Sequence, residues 1–188
     1  MCYYNPKLKK GVFPMSHIKK LILTAVCVAL CIVVPMAFHS IPNGGQMFLP
    51  MHLPVLLCGM ICGWPFGLAC GLLGPALSSV LTGMPLAAAL PGMMVECAVY
   101  GCTCGILAKG VRTGNRYGDL YICLVPAMLL GRILSGIIKA WILTPGLSLA
   151  AWATASFVTG LPGIAVQLVL VPVLLLGLER AKLIPKRY

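Results

Sequence analysis

Apolar residues run along this chain in long unbroken blocks separated by short polar breaks, with no period-2 alternation of the kind a half-buried strand shows. The blocks are Leu21 to Phe38, Leu49 to Met84, Leu86 to Ala108, Leu120 to Leu143 and Phe157 to Leu178. About 20 apolar residues make one helical membrane span. The second block is too long for one span and short for two, and it contains Trp64-Pro65, where proline ends or kinks a helix just upstream. The pattern therefore predicts six helices, at about 19–39, 50–63, 66–82, 86–108, 120–143 and 157–178, with a tight turn at Trp64. The second of these cannot cross about 30 Å unaided, so it must sit against other helices. Lys109 to Asp119 reads as a polar loop and Gly146 to Thr154 as a short outer loop. The first run follows a basic flank and lacks a small-residue cleavage site, so it reads as a retained helix.

Composition makes the membrane reading firm. Of 188 residues, 60% are hydrophobic and only 9% charged, with a mean hydropathy of +1.01, whereas a soluble domain carries about a quarter charged residues. The expectation is one all-α, membrane-embedded domain over 1–188. No stretch is long or polar enough for a separate catalytic or nucleic-acid-binding domain, so the net charge of +11 does not point to nucleic acid. Twelve of the 14 Lys and Arg fall in three clusters: Lys7, Lys9, Lys10, Lys19 and Lys20; Lys109, Arg112 and Arg116; and Arg180, Lys182, Lys186 and Arg187. If all three face the cytoplasm, the positive-inside rule demands four spans and then two. Both termini, including the tail 1–18, are then cytoplasmic, in a multi-pass protein of a cell membrane.

Small residues and cysteines bear on packing. Gly59, Gly63, Gly67 and Gly71 recur every four residues, and Gly101 and Gly105 repeat the spacing; such faces let helix backbones approach closely. Ala25 and Ala29 share that spacing on the first span, where an external partner competes with internal packing. The ten cysteines include no Cys-x-x-Cys, and most lie in apolar runs where a thiol behaves as a small hydrophobe. A zinc site would want histidine or carboxylate nearby, and His17, His39 and His52 are scattered, so no metal site is expected.

Charges inside the apolar blocks carry the functional signal, because each costs at least about 2.5 kcal/mol at the bilayer centre. At a rise of about 1.5 Å per residue, the predicted topology puts Glu96 about 13 Å and Arg132 about 16 Å deep, with Gln167 at a similar level. Lys139 lies two helical turns from Arg132 on the same face, and Tyr100 one turn from Glu96. Either Glu96 and Arg132 form a structural ion pair, or these groups line a pocket open to the outside. In that pocket Arg132 or Lys139 would take an anionic or carbonyl group and Glu96 a donor. The loop Ile41 to Pro50 brings Asn43, Gln46 and the pair Gly44-Gly45; it is either a cover for a pocket mouth or a connector. His52, Ser78, Ser79 and Thr82 lie near the same outer level, the hydroxyls more often serving as caps or bonding back to their own helix.

The runs PMHLPVLLCGMICGWPFGLACGLLGPALSSVLTGMP (Pro50 to Pro85) and PGMMVECAVYGCTCGIL (Pro91 to Leu107), with Ala-Val-Cys-Val-Ala at 25–29, resemble the substrate-binding S component of an energy-coupling factor (ECF) vitamin transporter, over about residues 19–178. The resemblance implies a six-helix subunit of a bacterial plasma membrane that takes up a vitamin or precursor from outside. It implies docking on a transmembrane T component and two ATPase subunits, which consume the ATP, so the chain itself needs no cofactor and is no enzyme. In that family an Ala-x-x-x-Ala motif on the first span contacts the T component, matching Ala25 and Ala29. The pocket there is built from the first outer loop and spans four to six. The residue patterns of the biotin, riboflavin, thiamine and folate binders are not evident. Two rival readings are an intramembrane enzyme and a stand-alone carrier. Against the first, there is no Glu-x-x-His, His-x-x-x-His, Gly-x-Ser-x-Gly or Walker motif; against the second, there is no internal repeat.

Overall fold

The computed structural model describes residues 15–37, 47–140 and 149–184. In chain order these form α1 (His17–Met36), α2 (His52–Cys62), α3 (Trp64–Thr82), α4 (Leu90–Gly110), α5 (Arg116–Ile138), α6 (Leu149–Ala153), a wide π-helical turn (Thr154–Thr159) and α7 (Leu161–Arg180). No strand occurs among the described residues. Five of these helices, α1, α3, α4, α5 and α7, are long and apolar enough to cross a membrane, whereas α2 has 11 residues.

The helices overlie the expected spans, and where their ends differ the cause is local. The chain turns at Gly63 rather than at Trp64: Gly63 holds φ 98°, open to glycine alone at little cost. Trp64 is already the first residue of α3, with Pro65 in the first turn, where its missing N–H costs nothing. Helix α4 starts at Leu90 and not at Leu86, again with a proline, Pro91, in its first turn. The residues before it are held to α3, because Ser78 and Ser79 donate to the carbonyls of Met84 and Pro85 across 2.7 and 2.8 Å. Helix α5 starts early, at Arg116, because Asn115 caps it by accepting from Gly118 N–H. Part of the expected outer loop 146–154 is helical, as α6, and the π-helical turn delays α7 to Leu161.

Glycine decides how the helices pack. A Cβ on Gly59 or on Gly67 would run into the carbonyl of Gly101, one on Gly71 into the backbone at Cys97, and one on Gly105 into Trp64. The four-residue glycine spacing is thus internal, the seam where α2 and α3 meet α4. Helix α2 sits centrally, against α1, α3, α4 and α7, with nine of its 11 residues buried. Of the ten cysteines, the structure describes nine, all free and all but Cys102 buried. Several thiols act as weak donors between helices: Cys31 to the Met51 carbonyl, Cys62 to the Lys20 carbonyl and Cys104 to the Cys123 carbonyl.

Helix α1 packs on α2 and α3 through Thr24, Cys27 and Cys31. Its other side, with Leu21, Ile22, Ala25, Val26, Ala29 and Val33, is exposed. At the opposite edge of the bundle Arg116, at the start of α5, pairs with the buried Glu179 at the end of α7. Nearby, Asp119 accepts from both the backbone N–H and the hydroxyl of Thr113.

Candidate functional site

Helices α4 and α5 run antiparallel, and a ladder of small and polar residues sets their register. The Ser135 hydroxyl donates to the Gly92 carbonyl across 3.0 Å. One turn further along α4, Glu96 faces Arg132, and one turn beyond that the Tyr100 ring lies against Gly131, where a Cβ would collide with its Cδ1 and Cε1. Glycine at 131 thus admits the phenol ring between the two helices, which brings Arg132 level with Glu96.

The carboxylate of Glu96 is the centre of the site. Its Oε1 accepts from the Tyr100 hydroxyl at 3.1 Å and lies 3.5 Å from His52 Nε2 and 3.9 Å from Arg132 Nε. The rings of His52 and Tyr100 are 5.1 Å apart and tilted by 57°. All four residues are buried, and they come from three helices: His52 from the first turn of α2, Glu96 and Tyr100 from α4, Arg132 from α5. The Tyr100 hydrogen bond and the approaches of His52 and Arg132 are all to Oε1.

Gln167, buried on α7, donates from Nε2 to the Leu49 carbonyl across 3.4 Å. That carbonyl also takes the His52 backbone N–H at 3.1 Å. Leu49 holds φ 50°, a left-handed conformation that residues with a side chain rarely adopt. Gly163 of α7 lies against the backbone of Met47 and Phe48, so the segment entering α2 is pressed onto α7 at two points. Gln167 Oε1 and His52 Nδ1 are buried with no hydrogen-bond partner among the described residues. An unpaired buried acceptor and ring nitrogen are costly, and a ligand that supplied partners would relieve both.

Lys139 is half-buried at the end of α5, its side chain laid across Gly92 one turn before Glu96 on α4. The structure therefore gathers six of the sequence-derived candidates: Glu96, Arg132, Tyr100 and His52 in direct contact, Lys139 a turn away, and Gln167 joined through Leu49. Asn43 and Gln46 lie outside the described residues. Ser78, Ser79 and Thr82 are engaged at the α3–α4 connection rather than with this cluster. Sequence reasoning missed Ser135, Leu49 and Trp152. The indole of Trp152 covers Gly136 on α5 and meets the Phe157 ring edge-on at 5.9 Å. The signal that was available is the glycine at 131 and again at 136, each admitting a ring to the backbone of α5.

Chemically, the cluster offers an acceptor carboxylate, a guanidinium, an ammonium, an imidazole and an amide. Among the described residues no three of His, Cys, Asp and Glu gather in an arrangement that would hold a metal ion.

A family model described as the ECF transporter, substrate-specific component, matches residues 19–175. No curated protein and no solved structure matches the chain.

Proposed function

Because this chain belongs to the family of substrate-specific components of ECF transporters, we propose that it captures a vitamin or vitamin precursor from outside the cell. It then delivers that compound through a transmembrane T component driven by two ATPase subunits. In this reading α2 completes six membrane segments, both termini are cytoplasmic, and the protein resides in a bacterial plasma membrane. The family is one of substrate-binding transporter components and not of enzymes, and the role assigned to the cluster is binding.

The observation that carries the reading is the convergence of His52, Tyr100 and Arg132 on one buried carboxylate oxygen of Glu96. A bundle needing only to stay folded would be served better by apolar residues, since a buried ion pair is often no more stable than a hydrophobic replacement. Charged and hydrogen-bonding groups inside a membrane ordinarily serve a bound molecule or a pathway. Arg132 and Lys139 suit an acidic or carbonyl oxygen, Glu96 and Gln167 Oε1 suit N–H or O–H donors, and Trp152 and Phe157 offer aromatic faces beside Gly136. A small heterocyclic compound carrying both kinds of group matches that set, and Ala25 and Ala29 supply the docking face for the T component. The test is a binding screen of the purified protein against water-soluble vitamins and their precursors, read by calorimetry. Submicromolar binding of one compound, lost on Glu96→Ala, supports the reading. Failure of every compound, with the protein folded, would overturn it.

A further inference from the structure

The chain has three carboxylate side chains in total, and all three are buried. Glu96 is enclosed by Tyr100, His52 and Arg132, Asp119 is held by Thr113, and Glu179 by Arg116. The surface therefore carries cations and no acidic side chain to balance them.

Those cations collect at one end of the bundle. Lys20 of α1 places Nζ 5.9 Å above the ring of Phe66, in the first turn of α3, while its carbonyl takes the Cys62 thiol. Lys109, at the end of α4, reaches the turn just before α3, its Cε 4.0 Å from where a Cβ on Gly63 would stand. Arg112 follows on the exposed loop, and Arg180 and Lys182, both exposed, lie at the end of α7 that Arg116 and Glu179 fasten to α5. At the Gly63–Trp64 turn, flanked by Lys20 and Lys109, the Trp64 side chain is 42% exposed. Tyr117 and Tyr121 are exposed on the first turns of α5. Tryptophan and tyrosine favour the level of lipid headgroups, and lysine and arginine beside a membrane attract anionic ones. Leu21 and Ile106, next to Lys20 and one turn before Lys109, are exposed and apolar.

We propose that the α2–α3 turn forms a binding site for an anionic phospholipid, with Lys20, Lys109 and Arg112 facing the headgroup phosphate and Trp64, Leu21 and Ile106 lying along the glycerol and upper acyl chain. The positive-inside rule accounts for the side on which these cations lie. It does not account for lysines from two different helices reaching one turn, Lys20 over the Phe66 ring and Lys109 beside Gly63, with the exposed Trp64 between these positions in the chain. A soluble acidic protein would match the charge but could not cover Leu21 and Ile106, which belong to helices long and apolar enough to cross a membrane, whereas a phospholipid satisfies both at once. The inference stands independently of the substrate captured.

The test uses the full chain, delipidated in a neutral detergent and titrated separately with phosphatidylglycerol, phosphatidylcholine and inorganic phosphate. Lipid adducts are counted by native mass spectrometry and thermal unfolding is followed by tryptophan fluorescence. Phosphatidylglycerol should bind at least about tenfold more tightly than phosphatidylcholine and raise the Tm, while inorganic phosphate should do neither. Lys20→Gln with Lys109→Gln and Arg112→Gln should abolish the preference and leave behaviour in phosphatidylcholine unchanged; Lys20→Arg with Lys109→Arg should keep the preference. If the triple variant is unstable in phosphatidylcholine, Lys109→Gln with Arg112→Gln, both exposed positions, is read in its place. Equal response to the two lipids, a preference that survives the glutamines, or a Tm rise reproduced by inorganic phosphate would each overturn the proposal. A variant that keeps its lipid preference and instead loses its partner subunits would make the patch a protein-docking face, with the same result.

Discussion

The side-chain amide of Gln167 holds the backbone carbonyl of Leu49 across 3.4 Å, and through it α7 grips the segment that leads into α2. Gln167→Leu keeps the volume and removes the donor. It should lower stability by about 1 kcal/mol and weaken ligand binding several-fold, because Leu49 also receives His52 N–H and so sets where the imidazole stands. Thermal unfolding with and without ligand checks both effects. A stability loss with unchanged affinity would confine Gln167 to holding the chain together.

A methyl group on Gly101 would run into the backbone of Gly67, so it must push α4 away from α3. Gly101→Ala should destabilise by about 2 kcal/mol and shift Tm down. Gly177→Ala, on a stretch of α7 where an added Cβ meets nothing within 4 Å, should be neutral or slightly stabilising. The comparison is read from thermal unfolding of the two variants side by side, and equal shifts would refute the seam.

Glu96→Ala and Arg132→Ala should each weaken substrate binding at least about tenfold, equivalent to 1.4 kcal/mol, and Lys139→Ala should do so less, being half-buried a turn away. Tyr100→Phe removes the one hydrogen bond that Glu96 Oε1 receives from α4 and should cost a smaller factor. Titration calorimetry with the ligand found by the screen gives the numbers. Normal binding with reduced thermal stability in the first two variants would make the pair structural.

Both Ala25 and Ala29 lie on the exposed side of α1, away from Thr24, Cys27 and Cys31. Ala25→Trp or Ala29→Trp should therefore abolish transport and co-purification with the T component, since a bulky residue prevents close helix approach, while leaving ligand affinity unchanged. Uptake assays and pull-downs on the same preparations test it, and lost affinity would mean that α1 shapes the pocket.

The existence of these helices was legible because apolar runs of this length have few other solutions in a membrane. Their ends were less so: Asn115 and Pro91 mark true starts, but the first turn of α5 is polar and reads with the loop, whereas the apolar block before Pro91 runs past the boundary and masks it. For the site, depth along the spans was enough to put Glu96 and Arg132 in one layer, and they lie 3.9 Å apart. The place of His52 was only partly visible, because its approach to Glu96 depends on α2 lying at the centre of the bundle, which no local pattern encodes. The Leu49 carbonyl could not be foreseen at all, since a backbone acceptor carries no residue-type signal.

Helix α2 spans about 16 Å at the usual rise, roughly half the hydrocarbon thickness, yet almost all of it is buried within the protein. It meets protein on nearly every side and has little contact with lipid, and at this length it cannot cross the bilayer by itself. During synthesis, then, α2 has no stable resting place until α3 and α4 have emerged from the ribosome and their glycines can receive it. The middle of this bundle is filled by a segment that arrives early and by this argument settles late, so the insertion of the chain is expected to be cooperative where its hydropathy alone suggests a sequence of independent steps.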